Sequence, residues 1–294
     1  MTFVDTEIAS QPECWQRAAD LAAEGGAALP DPGERIAVVG CGTSYYMAQS
    51  YAALREGTGQ GESDAFAASE FPLDRPYDRV LALTRSGTTT EVLELLGRLD
   101  GTTRTTAVTA DPDTPVMSAA DDVVVLDFAD EQSVVQTRFA TTALTLFRAH
   151  LGLHTDNVVE DARTALAEPL SQDLVDATQI AFLGRGWTVG LANEAALKMK
   201  EASLSWTESY PAMEYRHGPI SIATTGTATW MFGPAPAGLA EQVRATGAHW
   251  AESPLDPLAD LVRVQRLAVA RAAARGLDPD RPRHLTRSVV LADA

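Results

Sequence analysis

Short apolar runs alternate with amphipathic stretches along the first half of the chain. The runs at residues 35–39, 80–83, 105–109 and 123–126 are rich in Val, Leu, Ile and Thr, which predicts buried strands. Apolar residues at helical spacing follow these runs and predict a helix after each of them. The same spacing predicts a further helix at residues 6–28. Strands that alternate with helices are typical of a parallel sheet covered on both faces, so the sequence predicts the α/β fold class.

The same pattern restarts after a polar segment near residues 169–176. The turn sequence FLGRGWT resembles VVGCGTS of the first half, which indicates a weak internal repeat. We therefore expect two subdomains, each a mainly parallel sheet flanked by helices in three layers, the second abbreviated by about one strand–helix unit. The predicted divisions are an N-terminal helix (1–29), a first subdomain (30–152), a linker helix region (153–177) and a second subdomain with a C-terminal tail (178–294).

Within the second half, the pattern predicts regular elements separated by one longer loop. The predicted strands are 179–183 and 227–232, the helices are 188–205, 238–248 and 256–275, and the loop is 208–219.

Composition restricts the class of protein. With 294 residues, of which 45% are hydrophobic and 21% charged, the chain is long enough for two modest domains and falls in the globular range. The formal net charge of −17 disfavours binding to nucleic acid or to an anionic membrane. The sequence has no run of about 18 apolar residues and no basic, apolar leader, so we expect a cytoplasmic protein. Cys14 and Cys41 are too few for a disulfide framework and lack metal-ligand spacing.

Two glycine turns that follow predicted strands carry small hydroxyl groups. Hydroxyls and the unpaired N–H groups at a helix start coordinate phosphate oxygens without adding positive charge. Neither turn has the spacing of a nucleotide-binding motif, so NAD and ATP are not indicated and no cofactor is expected. The alternative is that glycine and threonine only make the turn and cap the next helix. The hydroxyl residues are Thr43 and Ser44 in the first turn and Thr84, Ser86, Thr88 and Thr89 in the second.

The segment at residues 193–219 carries most of the remaining candidate chemistry. Glu194, Lys198 and Glu201 share one face of a predicted helix at i, i+4 and i+7 spacing. A carboxylate beside an ammonium suits proton transfer at a carbon next to a carbonyl, whereas the alternative is a solvated salt-bridge face. His217 follows in a loop, where its titration near neutrality suits proton transfer to a sugar ring oxygen. The alternative for His217 is a structural or solvated histidine.

Two further features carry weaker predictions. His150 and His154 are an i, i+4 pair without the carboxylate of an HExxH motif, so no metal site is expected. Trp206 is expected to pack in the core, with a sugar-stacking platform as the alternative.

In their order along the chain, these motifs resemble the sugar isomerase (SIS) family, in particular the isomerase part of glutamine:fructose-6-phosphate amidotransferases. The resemblance covers nearly the whole chain. The motifs that carry it include GCGTSYY (40–46), SGTT (86–89), EAALKMKE (194–201), HGP (217–219) and RGLDPDRPRHLTRSV (275–289).

The resemblance implies roles for the candidate residues and a small-molecule sugar phosphate as ligand. Glu201 is implied as the base that moves a proton between C1 and C2, with Lys198 as its neighbour. His217 is implied to come from a neighbouring subunit and to assist ring opening, so a homodimer with its active site at the subunit interface is expected. The implied phosphate ligands are Thr43, Ser44, Thr84, Arg85, Ser86 and Thr89, and the further substrate-contact candidates are Gly42, Val134, Gln136 and Arg287.

Departures from the family pattern set the expected reaction. Arg85 stands where the family has a glutamine, and Arg287 stands where the synthases have a lysine that handles the sugar carbonyl. A guanidinium stays protonated and cannot form a Schiff base. No cysteine near residue 1 offers a glutaminase nucleophile, so we expect a chain without an ammonia supply. These departures favour release, from glucosamine-6-phosphate to fructose-6-phosphate and ammonia. The alternatives are a fructosamine-6-phosphate deglycase, an aldose–ketose phosphate isomerase and a non-catalytic sugar-phosphate-binding module.

Overall fold

The first half of the chain forms a parallel sheet with the strand order β2-β1-β3-β4-β5. The structure is a computed structural model that describes residues 2–25, 28–153 and 156–291. Successive residues of an interior strand face opposite sides of the sheet, since Val38 lies in one buried cluster and Val39 in another. The sheet is therefore covered on both faces, as predicted. Its strands are β1 (Ile36–Gly40), β2 (Ser63–Ala67), β3 (Arg79–Leu83), β4 (Arg104–Thr109) and β5 (Asp122–Val125).

The second half forms a smaller parallel sheet with the order β7-β6-β8-β9. Its strands are β6 (Gln179–Gly184), β7 (Thr207–Pro211), β8 (Thr227–Met231) and β9 (His249–Ala251). Two mainly parallel sheets flanked by helices, the second one abbreviated, confirm the predicted α/β class and architecture. The domain boundaries within residues 152–178 stay a prediction.

Helices lie between and around the two sheets. The helices are α1 (Phe3–Ala9), α2 (Gln11–Ala23), α3 (Thr43–Gly57), α4 (Thr90–Leu99), α5 (Val116–Ala119), α6 (Arg138–His150), α7 (Asp156–Ala167), α8 (Gln172–Asp176), α9 (Thr188–Ser203), α10 (Leu239–Ala245) and α11 (Pro257–Ala274). In the described residues, no helix is long and apolar enough to cross a membrane.

Several predicted elements differ from the structure at the sheet edges and at the N-terminus. Strands β2, β7 and β9 have no counterpart in the apolar pattern, and a loop beginning at residue 208 is wrong because β7 occupies that position. All three are edge strands, and β2 and β7 are largely half-buried, so they lack the continuous apolar run of a central strand. The single helix predicted at residues 6–28 is two helices, since α2 restarts after Ser10 with Pro12 in its first turn.

Close packing of α3 against α9 sets the position of the candidate site. A Cβ built on Gly190 of α9 would lie 2.4 Å from the Tyr46 carbonyl oxygen and 2.3 Å from Ser50 Oγ, both in α3. Only glycine permits this approach. As a result, the start of α3, directly after β1, lies beside the residues of α9 that carry the predicted base.

Candidate active site

A cavity of about 240 Å³ lies where β1 and β3 end. The strands are in register there, because Gly40 pairs with Leu83, so the turns that follow them leave the sheet side by side. The predicted site residues that line the cavity are Gly42, Thr43, Ser44, Thr84, Arg85, Ser86, Thr89, Val134, Gln136, Glu201 and Arg287. Lining residues that sequence reasoning missed are Cys41, Leu83, Val92, Leu285, Thr286, Ser288 and Val289.

The first turn brings the start of α3 against the end of β1. A Cβ on Gly40 would lie 2.7 Å from the backbone carbon of Ser44, so a side chain at Gly40 would push the helix away. Gly42 has a φ of +54°, a left-handed conformation that favours glycine, and no side chain caps the helix. Thr43 and Ser44 are buried at this helix start. The Ser44 hydroxyl and the helix dipole can therefore receive an anion.

The second turn presents further hydroxyls between β3 and α4. The Thr84 hydroxyl oxygen is buried without a hydrogen-bond partner among the described residues. Ser86 Oγ accepts from the backbone N–H of Thr88 at 3.3 Å and lies 3.1 Å from the Thr88 hydroxyl. Thr89 is the N-cap residue of α4 and makes no capping bond with its side chain. Both turns thus leave hydroxyl or helix-start groups for a ligand, and phosphate as that ligand stays a prediction.

A buried ion-pair cluster on α9 lies beside the first turn. Lys198 Nζ lies 2.7 Å from Glu201 Oε2, 3.2 Å from Glu194 Oε1 and 3.1 Å from Thr43 Oγ1. Glu194 and Lys198 are each 1% exposed, whereas the Glu201 side chain is 19% exposed and lines the cavity. A solvated salt-bridge face is therefore wrong as an explanation of this cluster.

Burial and charge act in opposite directions within the cluster. Burial raises the pKa of the Glu194 carboxyl to about 7, against the opposing effect of the Lys198 ammonium, and the Glu201 carboxylate adds to the rise. Burial alone would lower the pKa of Lys198, but Glu194 and Glu201 outweigh it and raise that pKa above its ordinary value. Lys198 thus stays an ammonium at neutral pH, whereas the raised pKa brings the titration of Glu194 close to neutrality.

The two arginines at the cavity wall are engaged by protein acceptors. Arg85 donates to the carbonyl oxygens of Ser133 and Val134, and Arg287 donates to Asp130. Arg85 as a phosphate ligand stays a prediction.

His217 and Trp206 lie outside the lining residues of the cavity. His217 ends a short 3-10 helix (Glu214–His217) and is exposed. Trp206 is 75% exposed, so the expectation that it packs in the core is wrong. A role for His217 in a neighbouring subunit's site stays a prediction.

The described residues contain no group of three or more His, Cys, Asp or Glu side chains arranged to hold a metal ion. His154 of the histidine pair lies outside the described residues.

Sequence comparison finds glutamine–fructose-6-phosphate aminotransferases (isomerizing) from many organisms. The enzyme of Xylella fastidiosa is 28% identical and the match covers 87% of this chain and 52% of that protein. The enzyme of Sulfolobus acidocaldarius is 25% identical, with 87% and 50% covered. The chain thus spans about half the length of the curated relatives it matches. No protein-family model matches the chain.

Solved structures resemble the whole chain. Glucosamine-6-phosphate deaminase from Thermotoga maritima is 26% identical, with a TM-score of 0.83 over 99% of this chain and 100% of that one. The C-terminal domain of glucosamine-fructose-6-phosphate aminotransferase from Francisella tularensis is 20% identical and shares the fold, with a TM-score of 0.78 over 96% and 98%. Together with the motifs and the two parallel sheets, these similarities show that the chain resembles the isomerase half of the aminotransferases and has the fold of SIS phosphosugar isomerases.

Proposed function

We propose that this protein releases ammonia from an amino-sugar 6-phosphate, converting glucosamine-6-phosphate and water into fructose-6-phosphate and ammonia. The observation that carries the proposal is Glu201, a carboxylate that lines the cavity and is held at 2.7 Å by the buried Lys198 ammonium. Similarity to the Thermotoga maritima deaminase over the whole chain supports this reaction. Arg287 supports the direction of release, because a guanidinium cannot form the Schiff base that a synthase lysine would form.

The phosphate binds between the two turns. Ser44 at the start of α3 and the hydroxyls of Thr84, Ser86 and Thr89 supply donors without adding charge. The Glu201 carboxylate shares this cavity, so a sugar anchored by its phosphate presents its C1 and C2 end toward the base.

Glu201 then acts as the base in a proton transfer. The carboxylate takes the proton from C2 of the open-chain aldose while O1 gains a proton, which leaves an enolamine across C1 and C2. The carboxylic acid then returns the proton to C1 as the amino group gives up one N–H proton, which balances the proton gained by O1. The product is a ketimine at C2. Water adds to this carbon and the C–N bond breaks, so one water is consumed for each ammonia released. Lys198 orients Glu201 and keeps a positive charge beside it.

A second copy of the chain completes the site. His217 is exposed and lies outside the cavity of its own chain, so it is available to assist ring opening in a partner's cavity. The surrounding segment exposes large apolar side chains, which are typical of a protein interface. These side chains are Leu204, Trp206, Met213 and Ile222.

The proposal is tested by following both products. We expect purified protein and glucosamine-6-phosphate to yield ammonia and fructose-6-phosphate in equal amounts, with one solvent deuterium at C1 of the product in heavy water. Glu201→Gln keeps the shape of the side chain but removes the base, and it should lower the rate by a factor of about 10²–10⁴. Glu241→Gln, in an exposed turn of α10, is the matched control and should keep full activity.

Other outcomes favour the rival functions. Release of an amine from a fructosamine-6-phosphate, without ammonia from glucosamine-6-phosphate, would identify a deglycase. Ketose formation from an aldose phosphate without nitrogen release would identify a simple isomerase. Thermal stabilisation by sugar phosphates with no deuterium incorporation would identify a binding module and contradict a catalytic role for Glu201.

A further inference from the structure

The C-terminal tail, defined here as residues 285–291, forms one wall of the cavity. Leu285, Thr286 and Val289 are among the lining residues. The tail contains no helix or strand, so its position depends on the groups that bind it.

One set of bonds ties the tail to the turn between β3 and α4. The Thr90 N–H donates to the Val289 carbonyl oxygen at 3.1 Å, and the Leu291 N–H donates to Thr90 Oγ1 at 2.9 Å. The hydroxyls of Thr88 and Ser288 lie 2.8 Å apart. Thr88 and Thr90 therefore bind the tail, while Ser86 and Thr89 of the same turn line the cavity.

A second set of bonds joins the tail to the loop at residues 130–134 through the two arginines that depart from the family pattern. Arg85, buried beside Glu131, donates to the Arg287 carbonyl oxygen at 3.1 Å. The Arg287 guanidinium pairs with Asp130 Oδ1 at 2.5 Å and also donates to the Glu131 carbonyl oxygen. The backbone and the side chain of Arg287 are thus both held.

The Arg287–Asp130 pair is the accessible part of this arrangement. The side chains of Arg287 and Asp130 are 34% and 40% exposed, and Asp130 is not a lining residue of the cavity. Arg85 and Glu131 are buried, so removing either would leave an unpaired charge in the interior and endanger the fold. A substitution at Arg287 or Asp130 avoids that difficulty.

We propose that Arg287 is a positioning residue, whose guanidinium latches the tail to Asp130 and so fixes one wall of the substrate cavity. Its guanidinium does not handle the sugar carbonyl. The kinetic part of this inference rests on the proposed function, since it concerns the same cavity. The structural part does not, because the latch closes between protein groups alone.

The first experiment measures the latch without substrate. Amide hydrogen exchange of residues 285–291 is compared between wild type, Arg287→Ala and Asp130→Asn. Both variants should speed exchange in the tail by about fivefold, the effect of a partly exposed ion pair. Arg244→Ala breaks the surface pair between Arg244 and Glu252, which lies at 3.7 Å, and should leave tail exchange unchanged. Unchanged tail exchange in Asp130→Asn would overturn the latch.

The second experiment separates positioning from carbonyl chemistry with glucosamine-6-phosphate. Arg287→Ala and Asp130→Asn should raise KM by similar factors, about fivefold, and leave kcat within twofold of wild type. Arg287→Lys should give an intermediate KM, because an ammonium retains the charge but not the forked geometry. A collapse of kcat in Arg287→Ala that Arg287→Lys restores would overturn the proposal in favour of carbonyl chemistry. Wild type without ammonia release would refute the proposed function, while the exchange experiment would still decide the latch.

Discussion

Glu194→Gln tests whether the buried cluster on α9 exchanges a proton near neutral pH. Glu194 is 1% exposed and lies 3.2 Å from Lys198 Nζ. Glutamine has nearly the same shape and can still accept a hydrogen bond from the ammonium, but it carries no charge at any pH. The variant therefore removes the titration of Glu194 while it retains the packing of α9.

The sign and size of the effect follow from the pKa of Glu194. Its pKa rises from 4.5 to about 7 in the folded protein, chiefly because of burial, so the folded state binds more protons than the unfolded chain between those values. The stability that Glu194 contributes is fully present below pH 4.5 and is lost as the pH rises through 7. About 2 kcal/mol of that loss falls between about pH 5.5 and 8.5, since each pKa unit corresponds to about 1.4 kcal/mol.

The assay is urea unfolding of wild type and variant at several pH values across that range. As the pH rises from about 5.5 to 8.5, we expect the free energy of unfolding of Glu194→Gln to increase by about 2 kcal/mol relative to that of wild type. A difference in the free energy of unfolding between variant and wild type that is the same at every pH reflects altered hydrogen bonding. Glu241→Gln, an exposed control, should show no pH-dependent difference. If the difference for Glu194→Gln is also flat, Glu194 does not exchange a proton in this range and the reasoning is refuted.

Three further predictions concern the subunit interface, the phosphate turn and the helix contact. Mixing Glu201→Gln protein with His217→Asn protein should restore about a quarter of wild-type activity, because half of randomly formed dimers contain one intact shared site; no recovery after exchange of subunits would contradict sharing. Ser44→Ala should raise KM for glucosamine-6-phosphate about tenfold, since the variant lacks the hydroxyl that we propose donates to the charged phosphate. Gly190→Ala should lower the free energy of unfolding by about 1–3 kcal/mol in urea titrations, because its methyl group would meet Ser50.

Local sequence patterns were sufficient for the central strands and for the residues that follow them. The runs that end at Gly40 and Leu83 are apolar throughout, and parallel strands bring their carboxyl ends to one edge. The i, i+4, i+7 spacing likewise placed Glu194, Lys198 and Glu201 on one face of α9. These features depend on residues close in sequence, so a pattern can predict them.

Contacts between distant segments could not be predicted in this way. The burial of Glu194 and Lys198 depends on α3, whose approach is set by Gly190, more than 130 residues after Tyr46. The apolar residues of the tail follow neither helical nor strand spacing, so no pattern predicts its position. Its place in the cavity wall depends on Arg85 and Asp130. The substitution of arginine at position 287 was visible in the sequence, but its partner was not.

The balance of charge around the cavity determines which groups could hold the proposed phosphate in so acidic a chain. The cations near the site are each matched by nearby carboxylates, so their net attraction for an anion is small unless Glu194 is protonated. Attraction must then come from fixed dipoles: the hydroxyls of the two turns and the uncapped start of α3, whose first turn contains no acidic residue. Such groups act only at short range, which selects a small phosphate over an extended polyanion. The cations are Arg85, Lys198 and Arg287, and the carboxylates are Asp130, Glu131, Glu194 and Glu201.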